Sequence, residues 1–273
     1  MKIGITFAIY NNWKYTERCL DSIFKNNSKN EVFVVVVDNN SNDGSYENLK
    51  KYRNIKVIKN SENLSCAIAW NQGIDECKKN KCDYVILTQN DLIVSENTID
   101  NCVNFLEENS DISIVSPECI NIPSNSVKEL MSQERLNEIY NKAKIMWEDN
   151  IGDSFCFYFF CMKGNVFNNF RFDEKFRKPL YEDHDFYNQL NVGRVVSCRK
   201  ISCGLVYHTF SATQNIVKNP EISKNNIYFH EKWSGEMKQK SMEGGAWVRS
   251  RIGAKIRYPL NSHYGLDYES IGL

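Results

Sequence analysis

Apolar and polar residues alternate along the first hundred positions in blocks that predict strands and helices in turn. Ile3–Ile9 is typical of a buried strand, and Tyr15–Phe24 repeats its apolar side chains at helical spacing. Glu31–Val37 is a β-branched run too continuous for a strand with one exposed face, and Asp83–Leu87 is a second buried strand. Buried strands separated by helices predict an α/β fold with a mostly parallel sheet.

Shorter signals complete this region. Ile55–Ile58 predicts a short strand and Ser65–Cys77 predicts a helix. Ser95 is expected to cap a further helix, whose apolar residues return at positions i, i+3, i+4 and i+7. Those residues are Ile99, Cys102, Val103 and Leu106.

The second half of the chain has weaker patterns. Ser126–Trp147 and Tyr181–Leu190 predict helices, and the aromatic segment Phe155–Met162 predicts a strand. Val195–Val206 contains two strand-like pieces, with His208 just beyond the second. From about residue 210 onward the periodicity is lost, so no element is predicted there.

Composition excludes some classes of protein. Of the 273 residues, 42% are hydrophobic and 12% are aromatic, which is enough for a core and excludes a disordered chain. Lys plus Arg (34) equals Asp plus Glu (34), so we expect no nucleic acid partner. The length suits one α/β domain with a C-terminal extension.

Cysteine usage and the apolar runs bear on the cellular compartment. The ten cysteines lie mostly in apolar runs and form no C-x-x-C pair, which favours buried free thiols in a reducing compartment. The N-terminus shows no leader pattern and runs directly into a predicted strand. Val32–Val37 and Phe155–Met162 are far shorter than the ~20 residues of a membrane span, so we expect a cytoplasmic protein.

Three common nucleotide and hydrolase motifs do not occur in the chain. It has no G-x-x-x-x-G-K-[ST], no G-x-G-x-x-G after the first strand and no G-x-S-x-G. A P-loop NTPase, a dinucleotide-binding Rossmann domain and an α/β-hydrolase are therefore disfavoured.

Carboxylates follow two predicted strands, at the edge of the sheet where open α/β folds bind ligands. A nucleotide diphosphate bound there needs an acceptor for the base imide, a hard cation against the pyrophosphate charge, and a base that deprotonates the attacking group. Asp38 at a strand end suits the first need, and Asp91 with His208 suits the second. Asp183 suits the third.

Seven segments, spread over roughly residues 2–210, follow the order of one known family. They are similar to its opening strand and helix, nucleotide-binding turn, next helix, metal-motif strand, acceptor-side strand, EDxD catalytic motif and late histidine. The segments are Ile3–Asn11 with Arg18–Ile23, Val35–Ser45, Glu62–Ile74, Tyr84–Val94, Phe155–Phe176, Glu182–Phe186 and Val206–His208. The sequence thus resembles glycosyltransferase family 2, specifically its rhamnosyltransferase-like branch.

This resemblance implies the GT-A fold: an α/β, Rossmann-like, mostly parallel but mixed sheet flanked by helices, with a C-terminal extension. The transferase domain would span residues 1–215, with a nucleotide-binding half at about 1–115 and an acceptor half at about 116–215. Residues 216–273 would form a basic C-terminal extension.

The resemblance also assigns roles to single residues. Asp38 would accept the N3–H of uracil or thymine, and Asp43 would lie near the ribose or support its turn. Asp91 would ligate Mg²⁺ or Mn²⁺, and His208 would contact the metal or the pyrophosphate. Asp183 would be the general base.

Residues on the acceptor side follow from the same resemblance and from their aromatic character. Glu182 and Asp185 would shape the acceptor pocket and hold the start of a helix. Trp147 and Tyr181 lie near polar segments and are candidates for stacking against a sugar ring.

The chain departs from the family pattern at two motifs. Where the family has Pro-Thr-Tyr-Asn, this chain has Ala8-Ile9-Tyr10-Asn11, so Tyr10 and Asn11 remain for base contacts. The metal motif reads Gln89-Asn90-Asp91, in which Asn90 offers only an uncharged amide oxygen. We therefore expect weak metal affinity without the sugar donor, whose diphosphate would supply most of the coordination.

The implied activity is an inverting, metal-dependent sugar transfer from a pyrimidine nucleotide, either dTDP-rhamnose or a UDP-sugar, to a hydroxyl of a glycan or lipid-linked acceptor. Two other functions stay open. A sugar-phosphate nucleotidyltransferase would need a Gly-rich basic loop after the first strand, which Tyr10–Lys14 is not. A non-catalytic module that binds nucleotide sugars or glycans would fit the degenerate metal motif.

Basic residues outnumber acidic ones between Lys224 and Arg257. Three interpretations remain open: a solvated helical surface, a site for a phosphate or lipid-linked acceptor near an anionic membrane, or a lid with Arg249 or Arg251 near the diphosphate. The second interpretation would place the protein peripherally at the inner face of a membrane.

Overall fold

A single mixed β-sheet forms the centre of the molecule, with helices on both faces. The computed structural model describes residues 1–123, 131–143, 156–177, 181–191, 196–210 and 222–234. The predicted site residue Trp147 and most of the predicted extension at 216–273 lie outside this part of the chain.

Strands and helices alternate through the first half of the chain, as predicted. The strands are β1 (Lys2–Ile9), β2 (Glu31–Asp38), β3 (Ile55–Lys59), β4 (Tyr84–Thr88), β5 (Leu92–Val94), β6 (Ile114–Pro123), β7 (Phe159–Lys163) and β8 (Cys198–Phe210). The helices are α1 (Trp13–Phe24), α2 (Ser45–Leu49), α3 (Cys66–Lys79), α4 (Thr98–Glu108), α5 (Gln133–Ala143), α6 (Gly164–Phe167), α7 (Glu182–Asn191) and α8 (Ile222–Lys232). Hydrogen bonds join the strands in the order β3-β2-β1-β4-β7-β6-β8-β5.

One half of the sheet is parallel. β1 pairs in parallel with both β2 and β4, and β2 pairs in parallel with β3. In this register Asp38 lies opposite Ile9, so β1 and β2 end at the same level. The polar loops that follow β1, β2 and β4 therefore meet at one edge of the sheet, where the sequence predicted the site.

The other half makes the sheet mixed. β7 lies antiparallel between β4 and β6, β8 runs parallel to β6, and β5 pairs antiparallel with β8. The sequence did not predict β6, because Pro117 interrupts its pattern and has no N–H to donate. The ladder accommodates Pro117 by a shift of register between Ser116 and Glu118.

The prediction of two strand pieces at Val195–Val206, with His208 beyond them, was wrong. β8 is one strand from Cys198 to Phe210, and it pairs with β6 on both sides of the register shift. His208 lies inside this strand, directly opposite Asn121 of β6. The strand pairing therefore fixes the position of this histidine.

Helix boundaries differ from the predictions in three places. Asn97 precedes α4 with φ 61°, whereas Ser95, the predicted cap, contacts Thr98 Oγ1 through its hydroxyl at 2.8 Å. The helix predicted at Ser126–Trp147 is observed as α5, and its ends fall partly outside the described residues. α8 forms where hydrophobic periodicity predicted no element, although a helical surface was one interpretation of the basic stretch that begins at Lys224.

Apolar side chains cover both faces of the sheet. On β2, Val34 and Val36 pack in one core cluster with residues of α1 and α4, such as Ile99. Val35 packs in the other cluster with Trp70 of α3. This arrangement confirms that the continuous β-branched run forms a strand covered on both sides.

A close contact between α3 and β1 requires glycine at position 73. A methyl group on Gly73 would overlap Thr6 Oγ1 and would lie 2.9 Å from Thr6 Cβ. We expect Gly73→Ala to lower the free energy of unfolding by about 1–3 kcal/mol, as overpacking of a core does, measured by urea denaturation. Gly164→Ala is the matched control, because the nearest atom to its new methyl group would be 3.4 Å away. Equal stability of the two variants would contradict the prediction.

Candidate functional site

Asp38 ends β2 and is fully buried. Its Oδ1 accepts a hydrogen bond from the backbone N–H of Ser41 at 3.0 Å, whereas Oδ2 accepts none from any described residue. A buried carboxylate oxygen without a donor costs free energy. A ligand N–H at Oδ2 would remove that cost, which fits the predicted contact with a base imide.

The loop after β1 is tied to the loop after β2. Asn11 has φ 59°, its N–H donates to Ser41 Oγ at 2.8 Å, and its Oδ1 accepts from the N–H of Asn42 at 2.8 Å. Tyr10 is half-buried beside it. Asn11 thus holds the walls of the site together, and the base contacts of both residues stay predictions.

Asp43 makes the contacts of a capping residue. Its Oδ1 accepts from the N–H and hydroxyl of Ser45, and its Oδ2 accepts from the N–H of Trp13 at 3.3 Å. Burial opposes ionisation of Asp43, but these hydrogen bonds outweigh it and lower its pKa. The contacts fit the predicted support of the turn, and a ribose contact stays a prediction.

Asp91 and His208 meet at the end of β4. Both are nearly fully buried, and His208 Nε2 lies 3.3 Å from Asp91 Oδ1. His208 Nδ1 lies 2.8 Å from Asn121 Oδ1, and the imidazole stacks on Tyr158 with the ring centroids 4.1 Å apart. Since an amide oxygen only accepts, Nδ1 donates to Asn121, and this contact turns Nε2 towards Asp91.

This pair of side chains fits a hard divalent cation. Two ligands about 2.1 Å from one cation and at right angles to each other are about 3 Å apart, close to the 3.3 Å between Asp91 Oδ1 and His208 Nε2. Asp91 Oδ1 is buried and accepts no hydrogen bond within the described ranges. No group of three or more His, Cys, Asp or Glu side chains in those ranges could hold a metal. The remaining ligands would come from the diphosphate and water.

Asn90, the middle residue of the metal motif, faces α1. Its Nδ2 donates to Thr16 Oγ1 at 3.1 Å, and the side chain is buried. The amide therefore anchors the loop after β4 to the first helix, and its predicted contact with substrate stays a prediction.

Asp183 lies in the first turn of α7 and pairs with the next residue. Its Oδ1 lies 2.8 Å from both the backbone N and Nδ1 of His184. Burial opposes ionisation of Asp183, but the charge and hydrogen bonds of His184 outweigh it and lower its pKa. Its side chain stays 32% exposed, so the carboxylate is ionised at neutral pH and accessible to a ligand.

Cys66, the first residue of α3, links the two acidic groups of the site. Burial raises the pKa of its thiol, and the carboxylates of Glu182, Asp183 and Asp91 raise it further. Ring contacts through the segment before α7 also join α3 to α7, with centroids 4.9 Å and 4.3 Å apart. The start of α7 and its carboxylates therefore lie on the side of the sheet that α3 covers.

The end of β2 reaches the same helix terminus. Asn39, the residue after Asp38, donates from Nδ2 to the carbonyl of Ser65 at 3.2 Å. Ser65 directly precedes Cys66 and accepts a hydrogen bond from the N–H of Ile68. The start of α3 thus contacts the loop that follows the predicted base-binding residue Asp38.

Asp185 has a structural partner that the sequence did not indicate. It is fully buried, its Oδ1 lies 2.7 Å from Lys232 Nζ, and the same oxygen accepts from Trp233 Nε1 at 2.9 Å. Lys232 Nζ also lies 2.7 Å from Asp173 Oδ2. These contacts dock α8 on α7. The predicted pocket contact of Asp185 stays a prediction.

Tyr181 and Glu182 form the start of α7. Tyr181 has φ 79°, an unusual backbone conformation for an aromatic residue, and its hydroxyl bonds to Asn226 of α8. Its ring centroid lies 5.3 Å from that of Phe229. Glu182 is buried. The helix start is therefore held by α8, beside the predicted catalytic carboxylate, and the substrate contacts of both residues stay predictions.

Sequence reasoning missed the roles of four residues that shape this site. Asn121 lies in a strand that was not predicted, and Tyr158 stacks on His208 only through the fold. Cys66 was predicted within a helix but without any role. His184 lay inside the EDxD segment, where its position beside a carboxylate was the one available signal.

Within the ranges that the structure covers, no helix has both the length and the apolar composition that crossing a bilayer requires.

The parallel half-sheet and the antiparallel β7 are arranged as in solved structures of the GT-A fold class. Residues 5–167 match the model of the family described as Glycosyl transferase family 2, which is more than half of the chain. The chain belongs to this family.

Individual proteins of known sequence resemble this chain at low sequence identity. An uncharacterized glycosyltransferase of Methanocaldococcus jannaschii is 23% identical over 192 residues, which cover 68% of this chain and 63% of the relative. The poly(ribitol-phosphate) β-N-acetylglucosaminyltransferase TarS of Staphylococcus aureus is 27% identical over 140 residues, which cover 47% of this chain and 24% of TarS. The chain thus spans less than two thirds of either relative.

Solved structures show the same fold. TarS residues 1–349 in complex with UDP-GlcNAc superpose with a TM-score of 0.58 and 20% identity, covering 88% of this chain and 69% of that one. The mannosyltransferase PcManGT of Pyrobaculum calidifontis, in complex with GDP-Man and Mn²⁺, superposes with a TM-score of 0.57 and 14% identity. It covers 93% of this chain and 76% of that one.

Proposed function

We propose that this protein is an inverting, metal-dependent glycosyltransferase that moves a sugar from a pyrimidine nucleotide to an acceptor hydroxyl. The observation that carries this proposal is the buried pair of Asp91 and His208, whose facing atoms lie 3.3 Å apart and fit a divalent cation. Membership of glycosyl transferase family 2 supports sugar transfer from a nucleotide sugar. We also propose that the acceptor is a glycan or a lipid-linked molecule.

Asp183 is the proposed general base. Its lowered pKa keeps the carboxylate ionised at neutral pH, and its partial exposure lets an acceptor hydroxyl approach it. His184 holds the carboxylate in one orientation through two contacts to Oδ1. In-line attack then requires that the nucleoside diphosphate leave on the opposite side of the sugar, towards Asp91.

Asp91 and His208 are the proposed ligands of Mn²⁺ or Mg²⁺. Such an ion, when bound, neutralises the charge that develops on the leaving diphosphate. Asn121 fixes His208 so that Nε2 faces the ligand position. Mn²⁺ in two structures of similar fold supports a divalent cation, one with UDP and GalNAc and one with GDP-Man.

The choice of a pyrimidine nucleotide rests on Asp38. Its Oδ2 is buried without a donor among the described residues, so it suits the imide N–H of uracil or thymine. Cytosine, which offers a ring acceptor at that position, would leave the oxygen unpaired. The sugar itself, rhamnose included, depends on pocket shape and is left open by the residues named here.

A panel of nucleotides tests this proposal directly. UDP or dTDP, each with Mn²⁺, is expected to raise the Tm of the full chain, whereas CDP is not, since only ligands of the native state stabilise it. Asp91→Ala is expected to abolish the dependence on Mn²⁺. A protein stabilised by no nucleotide, or equally by all of them, would contradict the proposal. Nucleotide binding without any turnover would instead support the non-catalytic alternative.

His184→Gln is expected to move the acidic limb of the pH profile of kcat/KM to higher pH. Asp183 must be ionised to act, and His184 lowers its pKa, so activity persists at lower pH while His184 is present. Removing this partner raises the pKa of Asp183. The profile is measured as release of nucleoside diphosphate across the acidic range. His230→Gln, an exposed histidine on α8, should leave the limb in place; a limb unmoved in both variants would rule out the pairing as the cause.

Domain limits and location remain proposals as well. We infer a transferase domain over residues 1–215, a basic extension over 216–273, and a cytoplasmic protein with peripheral contact to an anionic membrane through that extension. Flotation of the full chain with vesicles containing phosphatidylserine, compared with neutral vesicles, tests the membrane contact.

A further inference from the structure

Two cysteines from distant parts of the chain contact each other near His208, a proposed metal ligand. Cys119 lies in β6, and Cys156 lies in the turn before β7. Their thiols hydrogen-bond to each other, and each thiol is free. Cys156 is partly accessible, whereas Cys119 is 7% exposed.

Asn121 connects this thiol pair to His208. Cys119 Sγ lies 3.6 Å from Asn121 Oδ1, the same oxygen that lies 2.8 Å from His208 Nδ1. Cys119 has one thiol proton and two acceptors within reach, Asn121 Oδ1 and the sulfur of Cys156. A change at this thiol therefore changes the hydrogen bonding of Asn121 Oδ1, the oxygen that holds His208.

Strand pairing places Cys119, Asn121 and His208 next to one another on two adjacent strands. Cys119 pairs with Val206 and Asn121 pairs with His208 in the parallel ladder of β6 and β8. The backbones of the two strands cannot separate without loss of the ladder. A displacement of Cys119 Sγ is therefore expected to act on the side chain of Asn121.

We propose that Cys119 and Cys156 form a reversible disulfide, and that its formation weakens metal binding by releasing Asn121 from its hold on His208. The oxidant is a peroxide. The Cys156 thiolate attacks a peroxide oxygen and becomes a sulfenic acid, with loss of one water. The Cys119 sulfur then attacks the Cys156 sulfur and expels a second water, so that two thiols and one hydrogen peroxide give one disulfide and two waters.

Local chemistry favours this order of attack. The hydrogen bond from Cys119 outweighs burial and lowers the pKa of the Cys156 thiol to about 7, so a thiolate is present at neutral pH. A disulfide brings sulfurs to about 2 Å, closer than any hydrogen bond. The bond also removes the thiol proton of Cys119, and with it the donor that lies 3.6 Å from Asn121 Oδ1.

The chain contains a matched control pair. Cys77 at the end of α3 and Cys82 before β4 also hydrogen-bond to each other. They lie beside Gly4 near the start of β1, at the opposite edge of the sheet from Asp91. Oxidation of this second pair is expected to leave His208 unaffected.

The test uses the full chain, reduced and then titrated with hydrogen peroxide. Differential alkylation with peptide mass spectrometry identifies which pair is oxidised. Calorimetry gives the Kd for Mn²⁺ in the presence of UDP or dTDP, whichever nucleotide the reduced protein binds. We expect a Cys119–Cys156 disulfide and a Kd at least about tenfold higher, as loss of an outer partner of a metal-binding histidine produces. Dithiothreitol should restore the original Kd.

Two variants and a second readout separate the possible causes. Cys156→Ser should keep its reduced-state Kd after peroxide, whereas Cys77→Ser with Cys82→Ser should respond like the unsubstituted protein. The ¹⁵N signals of the His208 imidazole, recorded without metal, should shift on oxidation.

This inference rests on the proposed function only for the binding readout. Failure of the reduced protein to bind nucleotide would refute that function, and the imidazole signals would still decide the inference. Absence of the disulfide, or a disulfide with unchanged Kd and imidazole signals, would overturn it.

Discussion

Asp183→Asn is expected to lower kcat by at least about a hundredfold, because a positioned base supplies 10²–10⁴ in rate and an amide cannot accept the proton. The substitution keeps size and hydrogen-bonding capacity, so the start of α7 should stay folded. Turnover is measured as release of nucleoside diphosphate from the sugar donor that the nucleotide panel selects.

The control for this result is Asp111→Asn, the same change at an exposed aspartate in a turn. It should turn over like the unsubstituted protein. Asp183→Asn should also keep the rise in Tm with nucleotide, since the proposed sugar-donor contacts lie elsewhere. Near-normal turnover by Asp183→Asn would remove this residue from the role of base.

Lys232→Met is expected to lower stability by about 3 kcal/mol, the lower end of the cost of leaving a buried charge without its partner. Asp185 is 0% exposed and Lys232 is 23% exposed, and both Asp185 and Asp173 lie 2.7 Å from the ammonium group. Partial exposure and the remaining bond from Trp233 reduce the cost. Urea denaturation measures the loss, and hydrogen exchange shows whether α8 opens first.

Two further variants make this second result decisive. Lys50→Met removes an exposed pair with Glu47 and should leave the midpoint of denaturation unchanged. Adding Asp185→Asn to Lys232→Met removes the charge left behind and should recover part of the stability. If the double variant were less stable than Lys232→Met alone, the buried charge would not be the cause.

Docking of α8 explains why the C-terminal region bears on the site. Asn226 bonds to the hydroxyl of Tyr181, and Lys232 bonds to Asp185, so α8 holds both the first residue before α7 and its first turn. Asp183 lies between these two points. The basic residue Lys232, which the sequence placed in a solvated or membrane-facing stretch, is thus used inside the molecule.

Local patterns were sufficient for much of the fold. The β-branched run of β2 and the helical spacing of α1 and α4 each bury a face that their own residues define, so short windows of sequence predicted them. The same windows placed Asp38 and Asp91 at strand ends. Parallel pairing of β1 with β2 and β4 then put those ends at one edge, as the class of fold required.

Other features had no local signal. Asn121 lies in β6, whose pattern Pro117 breaks, and its partner His208 is 87 residues away in the chain. Cys119 and Cys156 come together only because β7 lies next to β6 in the sheet. The start of α7, which carries Asp183, is held by α8, and the polar and aromatic contacts that dock α8 join residues far apart in the chain.

The sequence by itself determined the alternation of strands and helices, the strand-end carboxylates and, through its motifs, the family. Only the tertiary structure decided that Asp185 holds a C-terminal helix, that Asn121 orients His208, and that Tyr158 stacks on the same imidazole. The physical reason is range: hydrophobic periodicity is a property of a few neighbouring residues, whereas a hydrogen bond between distant strands exists only after the sheet has brought them together.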